Sequence, residues 1–146
     1  MKNRFSLALL VFCFGCATEP TVRDLNFPLA QIDKAIHKAL GKIKKISHNR
    51  RDYQSDYLTT DGKPLDPLAD NLQRLTVFVT IRGEQRPYDL DIEALVEEKQ
   101  SNQSGYSTSF RITDKSKKII AETTAKILIN LKQNSNRNVI DDFKAF

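Results

Sequence analysis

Between residues 29 and 47 apolar positions recur at steps of three and four: Leu29, Ile32, Ile36, Leu40, Ile43 and Ile46, with Ala35 and Ala39 beside them. That spacing places one apolar stripe along a helix. Asn26 and Pro28 suit its start. After Asn49 the period drops to two, with Arg51, Tyr53, Ser55 and Tyr57 alternating against Arg50, Asp52, Gln54 and Asp56. This reads as a polar edge strand. Thr60-Asp61-Gly62-Lys63-Pro64 signals a turn. Pro67 keeps residues 61–71 out of a sheet, and Leu65, Leu68 and Leu72 are expected to cover a sheet edge.

Three stronger strands follow. Over 73–82, Leu75, Val77, Val79 and Ile81 share one face, and Thr76, Phe78, Thr80 and Arg82 the other. Residues 83–87 close a hairpin. Over 88–97, Tyr88, Leu90, Ile92, Ala94 and Val96 alternate with Asp89, Asp91, Glu93 and Glu97, the pattern of a strand buried on one side. Residues 106–113 continue the alternation. Asp114 is expected to cap a second helix over 115–132, with Ile120, Ile127 and Leu131 as its stripe. Residues 133–138 read as a polar break, and Val139, Ile140, Phe143 and Phe146 as a short apolar stripe that docks on the core.

The order helix, four strands, helix with short connections predicts an α+β fold. It is a two-layer sandwich of a four-stranded antiparallel meander with both amphipathic helices on one face. The expected division is a leader over 1–15, a tether over 16–25 and a single domain over 26–146.

The leader rests on another pattern. Lys2 and Arg4 precede an apolar run from Phe5 to Phe14, and Gly15-Cys16-Ala17 ends it. A basic start, about ten apolar residues and then small ones are the layout of a secretory signal peptide, while a spanning helix needs about 20 apolar residues. Gly15-Cys16 resembles the lipobox of bacterial lipoproteins. That family usually has Leu three residues before the cysteine and a small residue two before it, where this chain has Cys13 and Phe14. The resemblance implies cleavage before Cys16, a diacylglycerol on its sulfur and acylation of the new amino terminus. Each buried methylene contributes about 0.8 kcal/mol, so two or three chains hold a protein on a bilayer. Ala17 stands where an aspartate often retains family members in the inner membrane, which points to the outer membrane, facing the periplasm. The rival cut, after Ala17, would release a soluble protein.

Composition adds little until processing is considered. The 146 residues carry 23 Lys and Arg against 18 Asp and Glu, a net charge of +5, with two cysteines and no tryptophan. Loss of Lys2 and Arg4 with the leader lowers the net charge to +3. Cys13 leaves and Cys16 is consumed, so no thiol remains for redox or metal chemistry. The cations gather on the first helix and its exit, and Lys34, Lys38, Lys42 and Lys45 are candidates for contact with an anionic surface. A solvated helix face with cations toward the helix C-terminus is the plainer explanation.

Catalytic patterns are absent. His37 and His48 have no partner at metal-ligand spacing, and there is no HExxH, GxSxG or glycine-rich phosphate loop. No cofactor and no metal is predicted. Asp89, Asp91 and Glu93 line one strand face, as glycan-acting carboxylates could, but a solvated face beside Arg82 and Arg111 accounts for them. Helix, strands and helix with positive charge also resemble double-stranded-RNA-binding domains. The export signal and the acidic strand face oppose a nucleic-acid partner. Phe78, an aromatic among polar neighbours, and Arg50, Arg51, Tyr53 and Tyr57 on the expected edge strand are the candidate partner-binding residues. The expectation is a non-enzymatic, lipid-anchored binding or scaffold module for an unidentified envelope protein. The layering loosely resembles lipopolysaccharide-assembly lipoproteins that plug an outer-membrane barrel, and a cell-wall glycan enzyme is the more distant alternative.

Overall fold

The first helix ends earlier than its apolar stripe. In the computed structural model, which describes residues 21–66, 68, 71–99, 106–109 and 113–143 (without the side chains of 108, 109 and 134–143), the chain first forms β1, Val22–Leu25, and then α1, Leu29–Leu40. Gln31 and Ile32 donate backbone bonds to the Pro28 carbonyl at the start of α1. Gly41, at φ 68°, takes the left-handed conformation that stops it, donating to the His37 carbonyl at 3.0 Å. Ile43 and Ile46, expected on this helix, lie instead in β2, Ile43–Ile46. The helix-like spacing has a sheet cause. A register irregularity between Ile43 and Lys45 lets Ile43 pair with Ser55 and Ile46 with Tyr53, so two residues three apart point the same way. Residues 22–25, expected as tether, belong to the sheet.

The remaining elements are β3, Asp52–Ser55; β4, Gln73–Arg82; β5, Tyr88–Lys99; β6, Tyr106–Ser109; and α2, Asp114–Phe143. The fold is α+β, and among the described residues one open antiparallel sheet has six strands rather than the four expected. The order β1-β5-β4-β3-β2 runs across it, and β6 shares the outer side of β5 with β1. Consequently β3 is not an edge strand. It lies between β4 and β2, and β2 is the edge. Arg111, expected beside the strand carboxylates, lies outside the described residues.

The alternation of β4 and β5 sets the core. Leu75, Val77, Val79 and Ile81 of β4 and Leu90, Ile92 and Val96 of β5 are buried in one cluster with Ile32, Ala35 and Ile36 of α1 and Ile119, Ile127 and Leu131 of α2. Ser55 is fully buried, and its hydroxyl accepts the Val77 N–H at 2.9 Å, which satisfies both polar groups. The other sheet face carries Lys45, Gln54, Phe78 and Glu93 in register across β2 to β5.

α2 is capped by Thr113 rather than Asp114. The Thr113 hydroxyl accepts the Ser116 N–H at 3.2 Å, and the Ser116 hydroxyl accepts the Thr113 N–H at 2.9 Å, a reciprocal cap. The helix continues through 133–138, where a break was expected, because no glycine or proline interrupts it. The side chains of Val139, Ile140 and Phe143, and all of Phe146, lie outside the description. Leu68 and Leu72 are 93% and 73% exposed, so neither covers an edge.

The 59–63 turn matches its sequence signal, with Gly62 at φ 76°. A β-carbon at Gly62 would stand 2.8 Å from Ile119 Cδ1. Gly62→Ala combines that clash with a conformation alanine disfavours, and a loss of about 1–2 kcal/mol is expected in urea unfolding.

Candidate functional site

A concavity on the outer sheet face forms where β2, β3 and β4 adjoin. It encloses about 270 Å³ and is lined by Lys45, Ser47, Asp52, Gln54, Phe78 and Thr80, together with Tyr53. Strand alternation builds it. Gln54 and Phe78 are cross-strand partners, as are Lys45 and Gln54, so their side chains rise from one row. Phe78 is half-buried in this polar setting. Lys45 is exposed and contributes the cation. Thr80 donates to Asp52 Oδ1 at 3.1 Å, and Ser47 Oγ accepts the backbone N–H groups of Asp52 at 2.9 Å and Arg51 at 3.2 Å while donating to Asn49 Oδ1 at 2.6 Å. The groove therefore offers an apolar ring, the exposed Lys45 ammonium and a hydrogen-bonded rim that includes the Asp52 carboxylate. This is binding chemistry for a small apolar group beside an acid.

The other residues singled out from the sequence do not converge there, apart from Tyr53, which borders the groove. Tyr53 is 1% exposed and belongs to the core, because its side of β3, an inner strand, lies under Asp33 and His37 of α1. Its hydroxyl lies 2.7 Å from Asp33 Oδ1 and 2.7 Å from the Arg50 carbonyl, donating to this pair of acceptors. Burial, then the Asp33 carboxylate, pushes the Tyr53 pKa well above its ordinary value. The ring meets His37 edge-on at 5.7 Å between centroids, and His37 Nδ1 lies 2.9 Å from the Asp33 carbonyl. Arg50 pairs loosely with Asp33 at 3.7 Å. Arg51 donates to the Gly83 carbonyl and lies 5.9 Å from the Tyr88 ring. These residues pin α1 and the hairpin end to β3, and the expected aromatic-basic patch is dispersed.

Tyr57 enters a second cluster that sequence reading missed. The Arg74 guanidinium is sandwiched between the rings of Tyr57 and Tyr106, at 3.8 and 3.9 Å, and its Nε pairs with Glu97. Lys44 Nζ lies 4.0 Å from the Tyr57 centroid and donates to its hydroxyl at 2.8 Å. The Tyr106 hydroxyl donates to the Asn71 carbonyl at 2.9 Å. Cation–π contacts of this kind hold strand ends together. The only sequence signal was the alternation that puts Arg74 and Glu97 opposite one another.

The lysines do not share a helix face. Lys34 and Lys38 are exposed on α1, Lys42 follows Gly41, and Lys45 is on β2. Lys42 Nζ is 3.0 Å from Asp56, and that hydrogen bond, with the Tyr57 N–H, holds the Asp56 carboxyl below the usual carboxylate range. The strand carboxylates are spaced along β5. Asp91 pairs with Arg82, and Asp89 accepts the Asp24 N–H at 3.0 Å. They line a single strand and do not face each other across a cleft. Among the described residues no three His, Cys, Asp or Glu side chains gather to hold a metal, and no helix is long and apolar enough to cross a membrane.

The chain matches no family model, no curated protein and no solved structure.

Proposed function

We propose that this chain is an exported lipoprotein, a non-enzymatic binding or scaffold module anchored through Cys16 to the outer membrane and serving an envelope complex from the periplasmic side. The observation that carries the reading is the apolar leader closed by Gly15-Cys16 only six residues before Val22, where the sheet begins. An acylated Cys16 would hold the domain against the bilayer. The groove around Phe78 and Lys45 supplies the recognition surface. It adjoins β2, the edge strand, where a partner segment could add main-chain hydrogen bonds. Lys44 and Lys45 on that edge disfavour pairing of two like-charged copies and favour an acidic segment. Such a partner places an apolar residue on Phe78 and a carboxylate near Lys45. A finer version, an accessory to outer-membrane assembly of the lipopolysaccharide-transport type, rests on the leader and the helix-over-sheet layering alone.

A photocrosslinking residue in place of Gln54 or Phe78, in the full chain in its native envelope, tests the recognition surface. A discrete protein adduct, absent when the crosslinker replaces Lys34 on α1, is expected. An identical adduct pattern from all three positions, or none from the groove, counts against it.

A further inference from the structure

A second groove lies along α2, at the edge of the sheet opposite β2. It spans about 500 Å³ and brings Thr21 beside Ile120, Ala121, Thr124, Ala125 and Leu128. The helix explains its character. Ile119, Thr123, Ile127 and Leu131 take up the core stripe. Ile120, Thr124 and Leu128, one position further round, are left half-buried, and Ala121 and Ala125 beyond them are exposed. Ile129, one turn on from Ala125, is 54% exposed. Ile120 and Leu128 pack in part against the core, and their open sides, with Ala121, Ala125 and Ile129, leave α2 a second apolar strip that is only partly covered.

We propose that this strip lies on the surface of an anionic phospholipid bilayer. Two observations select that occupant. Thr21 lines the groove, and Cys16 is five residues upstream, so an acyl-bearing sulfur is at most about 18 Å of chain away from it. Exposed Lys117, Lys118 and Lys132 occur at intervals along the same stretch of helix. Their visible acidic neighbours are engaged weakly, Asp114 at 3.7 Å from Lys117 and Glu122 at 3.9 Å from Lys118. An apolar strip with lysines beside it is the pattern of a helix that lies in a lipid interface. The inference rests on the anchor reading, because a short tether is what delivers this edge to the membrane.

The consequence is an orientation. β1 is on the α2 side and β2 at the far edge of a sheet five strands across, so β2 stands roughly 19 Å further from the bilayer. The Phe78 groove, formed by β2, β3 and β4, then stands clear of the lipid and is free to take a partner.

The chain has no tryptophan, so a single introduced indole reports one position. The test uses the full chain purified from membranes and reconstituted in phosphatidylethanolamine–phosphatidylglycerol vesicles with brominated acyl chains. Ala125→Trp, and independently Ala121→Trp, are expected to emit at shorter wavelength and to be quenched at least about twofold more than His48→Trp on the β2–β3 turn, since interfacial helices sit about 5–10 Å into the headgroup boundary. Equal quenching at all three positions overturns the inference. So does blue-shifted but unquenched emission, which means that protein, either the chain's own C-terminal residues or a second copy, covers the strip. The N-terminal mass of the same sample separates the two readings. Lipid on Cys16 without preferential quenching removes the α2 surface and leaves the anchor. Preferential quenching with unmodified Cys16 removes the anchor and leaves the surface.

Discussion

Tyr53→Ala is expected to lower the unfolding free energy by about 3–5 kcal/mol, enough to leave a domain of this size marginal. The ring is enclosed between α1 and the sheet, so alanine leaves a cavity and also takes the hydroxyl donor from Asp33, which is only 19% exposed and keeps Arg50 at 3.7 Å. Tyr53→Phe keeps the ring and removes the hydroxyl from Asp33 and the Arg50 carbonyl, for an expected loss of about 1–2 kcal/mol. Urea unfolding of both variants separates packing from hydrogen bonding. The hydroxyl also makes stability depend on alkaline pH. Its pKa is raised in the folded state, so its contribution is complete below the ordinary tyrosine value of 10.0. Above that value the unfolded chain ionises while the folded one holds its proton, and the contribution declines. Wild-type protein should lose more stability than Tyr53→Phe between neutral pH and pH of about 11.

Cys16→Ser is expected to have the largest cellular effect. Serine removes the sulfur that would carry the diacylglycerol, and with it the acyl burial that would hold the protein on the bilayer. Nearly all of the variant should leave the membrane pellet after a salt wash, while the wild-type chain stays. The α2 strip and its lysines give only reversible attachment, so a low-salt wash should retain part of the variant. A variant that stays with the membrane in high salt would show that the leader, rather than a lipid, is the anchor.

The parts of the fold that were legible in the sequence are those with a single governing period. β4, expected over 73–82, is Gln73–Arg82, because its alternation is unbroken and a turn follows at once. β5 begins at Tyr88 as expected. β2 was hidden by its irregular register, which spaces Ile43 and Ile46 as a helix would, while Gly41 carried the stop signal for α1 within that stripe. β1 was hidden for another reason. Val22–Leu25 has no alternation of its own and is held by partners more than sixty residues away, Thr21 Oγ1 accepting the Ile92 N–H at 3.0 Å and Asp24 donating to Asp89.

The candidate site divides in the same way. Phe78 was legible because an aromatic on the polar side of a clean strand is a local anomaly. Alternation separated Tyr53 from Gln54, but which face is buried depends on where α1 packs, and that has no local signature in residues 52–55. Lys45 could not be joined to Phe78 while it was assigned to a helix. The stacking of Arg74 between Tyr57 and Tyr106 joins side chains from three separate segments and has no local signature.

The mass of the mature amino-terminal peptide, taken from the protein in its own membrane, tests the account most directly. A peptide beginning at Cys16 and carrying a diacylglycerol, with or without a further acyl chain on its amino group, is the predicted result. An unmodified peptide beginning at Thr18 would contradict it, since the protein would then be released from the membrane and its groove would have to find a partner in solution.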